Sequence, residues 1–128
     1  MEAEIVRTFR FEAAHYLTNV PTGHPCGRMH GHSYVVDVHV AGPVGDAGWV
    51  IDFSDIERAF APLFAALDHR LLNEVEGLAN PTAEHLAAWI WDHLRKPLPM
   101  LAQVVLHETV DTRVIFRGNG ATTDRTVA

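Results

Sequence analysis

His30 and His32, with Gly31 between them, are the pair of residues in this chain whose type and spacing most directly suggest chemistry. Residues two apart in a strand point to the same side and lie roughly 6.6 Å apart along it. A zinc–nitrogen bond is about 2.0–2.1 Å long, so modest side-chain rotation brings two such rings onto one ion. A third histidine, His15, closes an alternating run in which Ile5, Phe9, Phe11 and Ala13 recur at odd positions while Thr8, Arg10 and Glu12 take even ones. The run predicts a half-buried strand with His15 on its core side. A second strand, from about His30 to Val40, carries His30, His32, Tyr34, Val36, Val38 and Val40 on one face. If the two strands pair, three imidazoles converge and leave a fourth tetrahedral position open, as catalytic zinc sites do. Nine histidines in 128 residues make some accidental proximity unavoidable, so the pair alone does not establish a metal site.

The histidines have two companions. Cys26, the chain's single cysteine, lies among Gly23, Pro25 and Gly27 with Arg28 beside it. It reads either as a reactive thiol, because cationic neighbours favour the thiolate, or as a small buried hydrophobe. Asp68-His69 follows a predicted helix. The carboxylate can hold the ring's tautomer and stabilise its protonated form, or it can serve only to end the helix.

The elements that must position these groups fit one domain, expected over residues 1–118, with a loose polar tail over 119–128. Ser54 and Glu57 form a capping-box pair ahead of a helix whose inner stripe is Ile56, Phe60, Leu63, Phe64 and Leu67, and Pro62 inside it predicts a kink or an early break. A second helix is expected from Asn80-Pro81-Thr82, with proline at its first position, to before Pro97; Leu86, Ile90 and Leu94 line its inner face. Strands over Gln103 to Thr109 and Arg113 to Arg117 close the domain around a turn at Val110-Asp111-Thr112. The order gives an α+β plan, a four-stranded antiparallel sheet with both helices on one face. Bare edges and an uncovered face predict self-association.

Composition excludes several functions. A net charge of −6 with one lysine, Lys96, leaves no basic stripe for a nucleic-acid backbone. A small anionic substrate would need local arginines such as Arg28, Arg70, Arg113 or Arg117. No apolar run reaches the length of a membrane span, Met1 to Glu4 lacks the order of a signal peptide, and one cysteine forms no intrachain disulfide; a cytoplasmic protein is expected.

From about Thr8 to Arg117 the chain resembles the superfamily of 6-pyruvoyltetrahydropterin and 6-carboxytetrahydropterin synthases, which have the tunnelling fold. The resemblance is carried, in the family's order, by FEAAH (Phe11 to His15), GHPCGRMHGHSY (Gly23 to Tyr34), VIDFSDIE (Val50 to Glu57), LDHRLLN (Leu67 to Asn73), NPTAEHLA (Asn80 to Ala87) and HET (His107 to Thr109). The three-residue gap between Cys26 and His30 is similar to the bacterial 6-carboxy branch of queuosine precursor synthesis, the biopterin-forming enzymes having a longer one. His85 where asparagine is usual, Phe116 where tyrosine is common, and Pro62 depart from the pattern.

The resemblance implies zinc on His15, His30 and His32, Cys26 as general base, Asp68 and His69 as a proton relay, and Glu108 anchoring a pterin ring with help from Thr109; Thr82 and Arg28 are expected as further substrate contacts. It implies a lyase that converts 7,8-dihydroneopterin triphosphate to 6-carboxytetrahydropterin, acetaldehyde and triphosphate. A 6-pyruvoyl synthase that stops at triphosphate elimination and a non-catalytic zinc-binding scaffold are the alternatives, and a scaffold has no need of Cys26, Asp68, His69 and Glu108 together. It implies, finally, a homo-oligomeric barrel, a hexamer of stacked trimers. The site is expected between subunits, with Cys26 and zinc from one chain and Glu108 or His69 from a neighbour.

Overall fold

The computed structural model describes residues 1–118; the tail expected over 119–128 lies outside the described residues. Two long strands dominate, β1 (Glu2–His15) and β2 (His30–Pro43), and they pair antiparallel over their whole length from Glu2↔Pro43 to His15↔His30. The alternation read from the sequence sets this register, because a slip of one residue would turn every apolar side chain to solvent. Phe11, Ala13, Tyr34, Val36, Val38 and Val40 are buried on one face, whereas Glu2, Glu4, Arg10, Glu12 and Ser33 project from the other.

The helices α1 (Phe53–Leu67) and α2 (Ala83–Leu94) cover that apolar face, α1 against β1 and α2 against β4 (Leu101–His107) and β5 (Arg113–Phe116). Ile56, Phe60, Leu63 and Leu67 face inward from α1, and Leu86, Ile90 and Leu94 with Ala87 from α2, as the helical spacing predicts, but Phe64, expected on the inner stripe, lies 43% exposed at its margin. Phe60 stacks on Phe9 of β1 with ring centroids 4.2 Å apart. Full burial of such side chains stabilises the fold by about 1.5–3 kcal/mol each.

Four further details differ from the sequence reading. Among the described residues the sheet has five strands, not four: β3 (Arg70–Leu71) adds two residues parallel to β1, giving the order β3-β1-β2-β4-β5. Two residues carry no periodicity, so such a strand leaves no trace in the pattern. Helix α1 is capped by Asp52, whose carboxylate accepts from the Ser54 amide, and it starts one residue ahead of the predicted Ser54–Glu57 box. It also continues through Pro62 to Leu67 without breaking; Pro62 is exposed, on the side away from the sheet. In α2 the cap is Thr82, so Pro81 precedes the helix and does not open it. The fifth strand and the freed Pro81 carbonyl both bear on the site.

Candidate active site

At the end of the β1–β2 ladder His15 stands opposite His30, and Ala13 opposite His32, so all three imidazoles project from the helix-covered face beyond its apolar core. Their ligand atoms lie within 4.8 Å of one another, and Cys26 is not part of that group. His15 is almost completely buried and His30 and His32 partly so.

Two main-chain carbonyls set the rings. His15 Nδ1 donates to the Pro81 carbonyl at 2.7 Å, and His30 Nδ1 donates to the Arg28 carbonyl at 2.7 Å. Each bond places the proton on Nδ1 and leaves Nε2 with a bare lone pair. Yet His15 Nε2 and His30 Nε2 are only 2.9 Å apart, and His32 Nε2 is buried with no hydrogen-bond partner among the described residues. Lone pairs that converge without a proton between them need a cation, so the donor set fits a metal ion. Burial, first of all, lowers the His15 pKa, with the neighbouring imidazoles acting the same way against the raising effect of the Pro81 bond and Glu108. A neutral ring is the ligating form.

Glu108 closes the site from the residue after β4. Its carboxylate oxygens lie 3.9 Å from His15 Nε2 and 4.0 Å from His32 Nε2. Of the two residues expected as alternatives from a neighbour, Glu108 or His69, Glu108 stands beside its own chain's histidines. Tyr34 forms the floor: its hydroxyl is 3.4 Å from His15 Nδ1 and its ring packs edge-on against His15 and His32. Burial, with a smaller contribution from Glu108, holds its phenol protonated well above the usual range.

Asp68 and His69 occupy a different place. Asp68 caps the end of α1, accepts the Glu12 amide on one carboxylate oxygen at 3.0 Å and His69 Nδ1 on the other at 2.8 Å. The Glu12 amide and then His69 hold its carboxyl below the ordinary range, and Asp68 in turn raises the His69 pKa. His69 has φ of 58°, the only positive value at a non-glycine among the described residues, a conformation histidine adopts at some cost. Its side chain is 78% exposed at the outer edge of β1, on a groove of about 570 Å³ that runs along Glu12, Gly31 and Ser33 and borders His32. No hydrogen bond among the described residues joins the pair to the histidine centre.

Of the remaining candidates, Cys26 is a half-buried free thiol in a 3₁₀ turn, Pro25–Gly27, within the loop that joins His15 to His30. The side chain of Arg28 is exposed while its carbonyl holds His30. The hydroxyl of Thr82 accepts the His85 amide as the cap of α2, and the hydroxyl of Thr109 pairs with Thr112 at 2.7 Å in the turn before β5. Sequence reasoning missed the carbonyls of Arg28 and Pro81, since a main-chain acceptor has no residue signature.

A two-helix layer on one face of a largely antiparallel sheet, with three strand-end histidines and a carboxylate at its rim, defines an α+β domain of the tunnelling-fold kind with a metal-type centre. The family model of 6-pyruvoyl tetrahydropterin synthase matches residues 4–119, and the chain belongs to that family. It is 39% identical over 112 residues to 6-carboxy-5,6,7,8-tetrahydropterin synthase of Synechocystis sp., covering 82% of this chain and 85% of that one. It is 34% identical to dihydroneopterin monophosphate aldolase of Pyrococcus furiosus, covering 77% and 81%. The solved structure of Caenorhabditis elegans 6-pyruvoyl tetrahydropterin synthase superposes with a TM-score of 0.87 at 24% identity, over 93% and 97% of the two chains, and supports the fold.

Proposed function

We propose that the protein is a zinc-dependent lyase that takes 7,8-dihydroneopterin triphosphate and water to 6-carboxytetrahydropterin, acetaldehyde and triphosphate. The observation that carries the reading is the convergence of His15, His30 and His32, with the Nε2 atoms of His15 and His30 left unprotonated by their Nδ1 bonds and Glu108 alongside. Zinc held there supplies a Lewis acid that polarises the side-chain oxygens of the substrate. Glu108 suits the pterin ring because one carboxylate accepts two hydrogen bonds, from the ring's amino and N–H groups, and Thr109 lies next to it in the chain. Arg28 and Thr82 complete the substrate contacts.

Cys26 acts as base on a carbon-bound hydrogen, and the Asp68–His69 pair carries protons as triphosphate leaves and the side chain is cleaved. His69 keeps its proton to a higher pH than an isolated imidazole and so serves as the acid of the pair. The pair stands exposed at the β1 edge while the histidine centre faces the helices, which supports its delivery to the centre of a neighbouring chain. That arrangement asks for a homo-oligomer, a hexamer of stacked trimers. It is supported by the exposed edges: β3 covers only Ala13 and Ala14 on one side of β1, and β5 ends the sheet on the other.

The 39% identity to a 6-carboxy synthase and the short gap between Cys26 and His30 favour the carboxy product over the pyruvoyl one, in queuosine or related deazapurine synthesis. A cytoplasmic setting accords with the free thiol; no helix among the described residues is long and apolar enough to cross a membrane. Incubation with dihydroneopterin triphosphate followed by mass spectrometry is the test. Release of 6-carboxytetrahydropterin with acetaldehyde is expected, and a 6-pyruvoyl product without acetaldehyde overturns the reading.

A further inference from the structure

β1 ends at His15, and the main-chain groups just past it no longer face a strand. Along its outer edge β3 pairs only as far as Ala14↔Leu71 before the chain turns into the 3₁₀ segment Leu72–Glu74. The side chain of Asn73 then takes over the ladder. Its Oδ1 accepts the Tyr16 amide at 3.0 Å and its Nδ2 donates to the Tyr16 carbonyl at 2.8 Å, the two bonds a neighbouring strand would have made. The same Nδ2 faces the Ala79 carbonyl at 3.5 Å. Asn80 repeats the device with one bond, its Oδ1 accepting the Thr18 amide at 3.0 Å. Two asparagines thus tie residues 16–18 to the loop 72–82. Buried Leu72 and Leu78 anchor that loop in the core, and its last buried residue, Pro81, offers the carbonyl that holds His15 Nδ1.

We infer that Asn73 and Asn80 form a clasp that keeps the Pro81 carbonyl on His15, and are positioning residues that set how tightly the three histidines hold their metal. The inference rests on the reading of His15, His30 and His32 as zinc ligands. It follows from the geometry of the loop. The His15–Pro81 bond joins two segments 66 residues apart, and the two amide side chains bond the same two segments directly beside it. Outer partners that orient a ligating histidine are worth about 10- to 100-fold in metal affinity.

The two side chains make opposite demands on a conservative replacement. Asn80 uses only its acceptor toward Thr18, and an aspartate keeps that. Asn73 uses donor and acceptor together, and an aspartate would set a second oxygen against the Tyr16 and Ala79 carbonyls.

The experiment measures zinc affinity of the purified full chain by competition with a chromogenic chelator, and the visible spectrum of its cobalt(II) form. N73A, N80A and N73D should each weaken zinc about 10- to 100-fold and alter the cobalt bands, with N80D close to the parent. V75A, which trims a half-buried side chain from the same loop without touching the clasp, should lower thermal stability and leave both metal readouts in place. Parent-like zinc affinity and cobalt spectrum in N73A and N80A overturn the inference. So does N80D behaving as N80A, or V75A weakening zinc as much as N73A. A parent chain that takes up no zinc at its histidines instead overturns the metal reading, and the clasp with it.

Discussion

The histidine centre and the Asp68–His69 pair both stand near the end of β1 and are built on opposite terms. The centre is made within the chain: His15 is 1% exposed, Glu108 stands beside its own histidines, and main-chain carbonyls fix two of the three rings. The pair is held by its internal bond, the Glu12 main chain and the Phe64 carbonyl that takes the Asp68 amide, with His69 in strained backbone and its imidazole turned to solvent. The contrast teaches that the histidine cluster is fixed by the fold itself, while the His69 imidazole is held by one carboxylate and presented outward, the feature on which its proposed use by a second chain rests.

The strongest way to break this comparison is to empty the centre. His30→Ala or His32→Ala should take bound zinc from one per chain to none and abolish turnover, while circular dichroism stays that of a folded chain because the sheet exists without the metal. Full zinc occupancy in both variants would remove the centre from the account. Cys26→Ala comes next: activity should vanish at unchanged zinc content and oligomer size. Loss of zinc in that variant would make the thiol a ligand.

Exchange between chains sharpens the contrast further. His32→Ala and His69→Ala, each inactive alone, should recover activity when unfolded and reassembled together, about a quarter of the sites by random mixing combining an intact centre with an intact pair. No recovery would place both halves of the site in one chain.

Asp68→Asn should lower activity about 10²–10⁴-fold and move the His69 titration, followed by NMR, back down toward the ordinary imidazole range. An unmoved titration would mean that Asp68 serves the strand alone. The smallest effect expected is on stability. With a raised His69, its contribution is fully present below the ordinary imidazole pKa and fades as pH rises through the folded value; with a lowered Asp68, its contribution is present above the ordinary carboxylate pKa and fades as pH falls through the folded value. Stability of the parent relative to Asp68→Asn should therefore be greatest between those two ranges, and only slightly, since both groups meet solvent.

Period two made the centre legible. The alternation in β1 and β2 gave the shared face and the apolar core beneath, because each is a repeating property, whereas the register that sets His15 opposite His30 came from the structure. Helical spacing gave the inner faces of α1 and α2 in the same way, apart from Phe64, which the stripe included and the structure exposes. What stayed hidden is what does not repeat. β3 is two residues long and exists because β1 offers it an edge. Asp52 displaced Ser54 as the cap of α1, two acceptors within reach of the same turn that local sequence does not rank. The spacing of Glu108 from His32 in sequence left its chain of origin open, and only the β2–β4 pairing brought it to its own histidines. Asn73 and Asn80 looked like loop residues because their bonding is to main chain far away.

The carbonyls of Arg28 and Pro81 have an evolutionary consequence. Every amino acid carries a carbonyl, so the acceptors that orient His30 and His15 are inherited through any substitution at residues 28 and 81 that leaves the backbone path intact. A saturation scan would score Arg28 as permissive in this respect although its carbonyl orients His30, and drift in side-chain chemistry at the rim leaves the tautomers of His15 and His30 undisturbed.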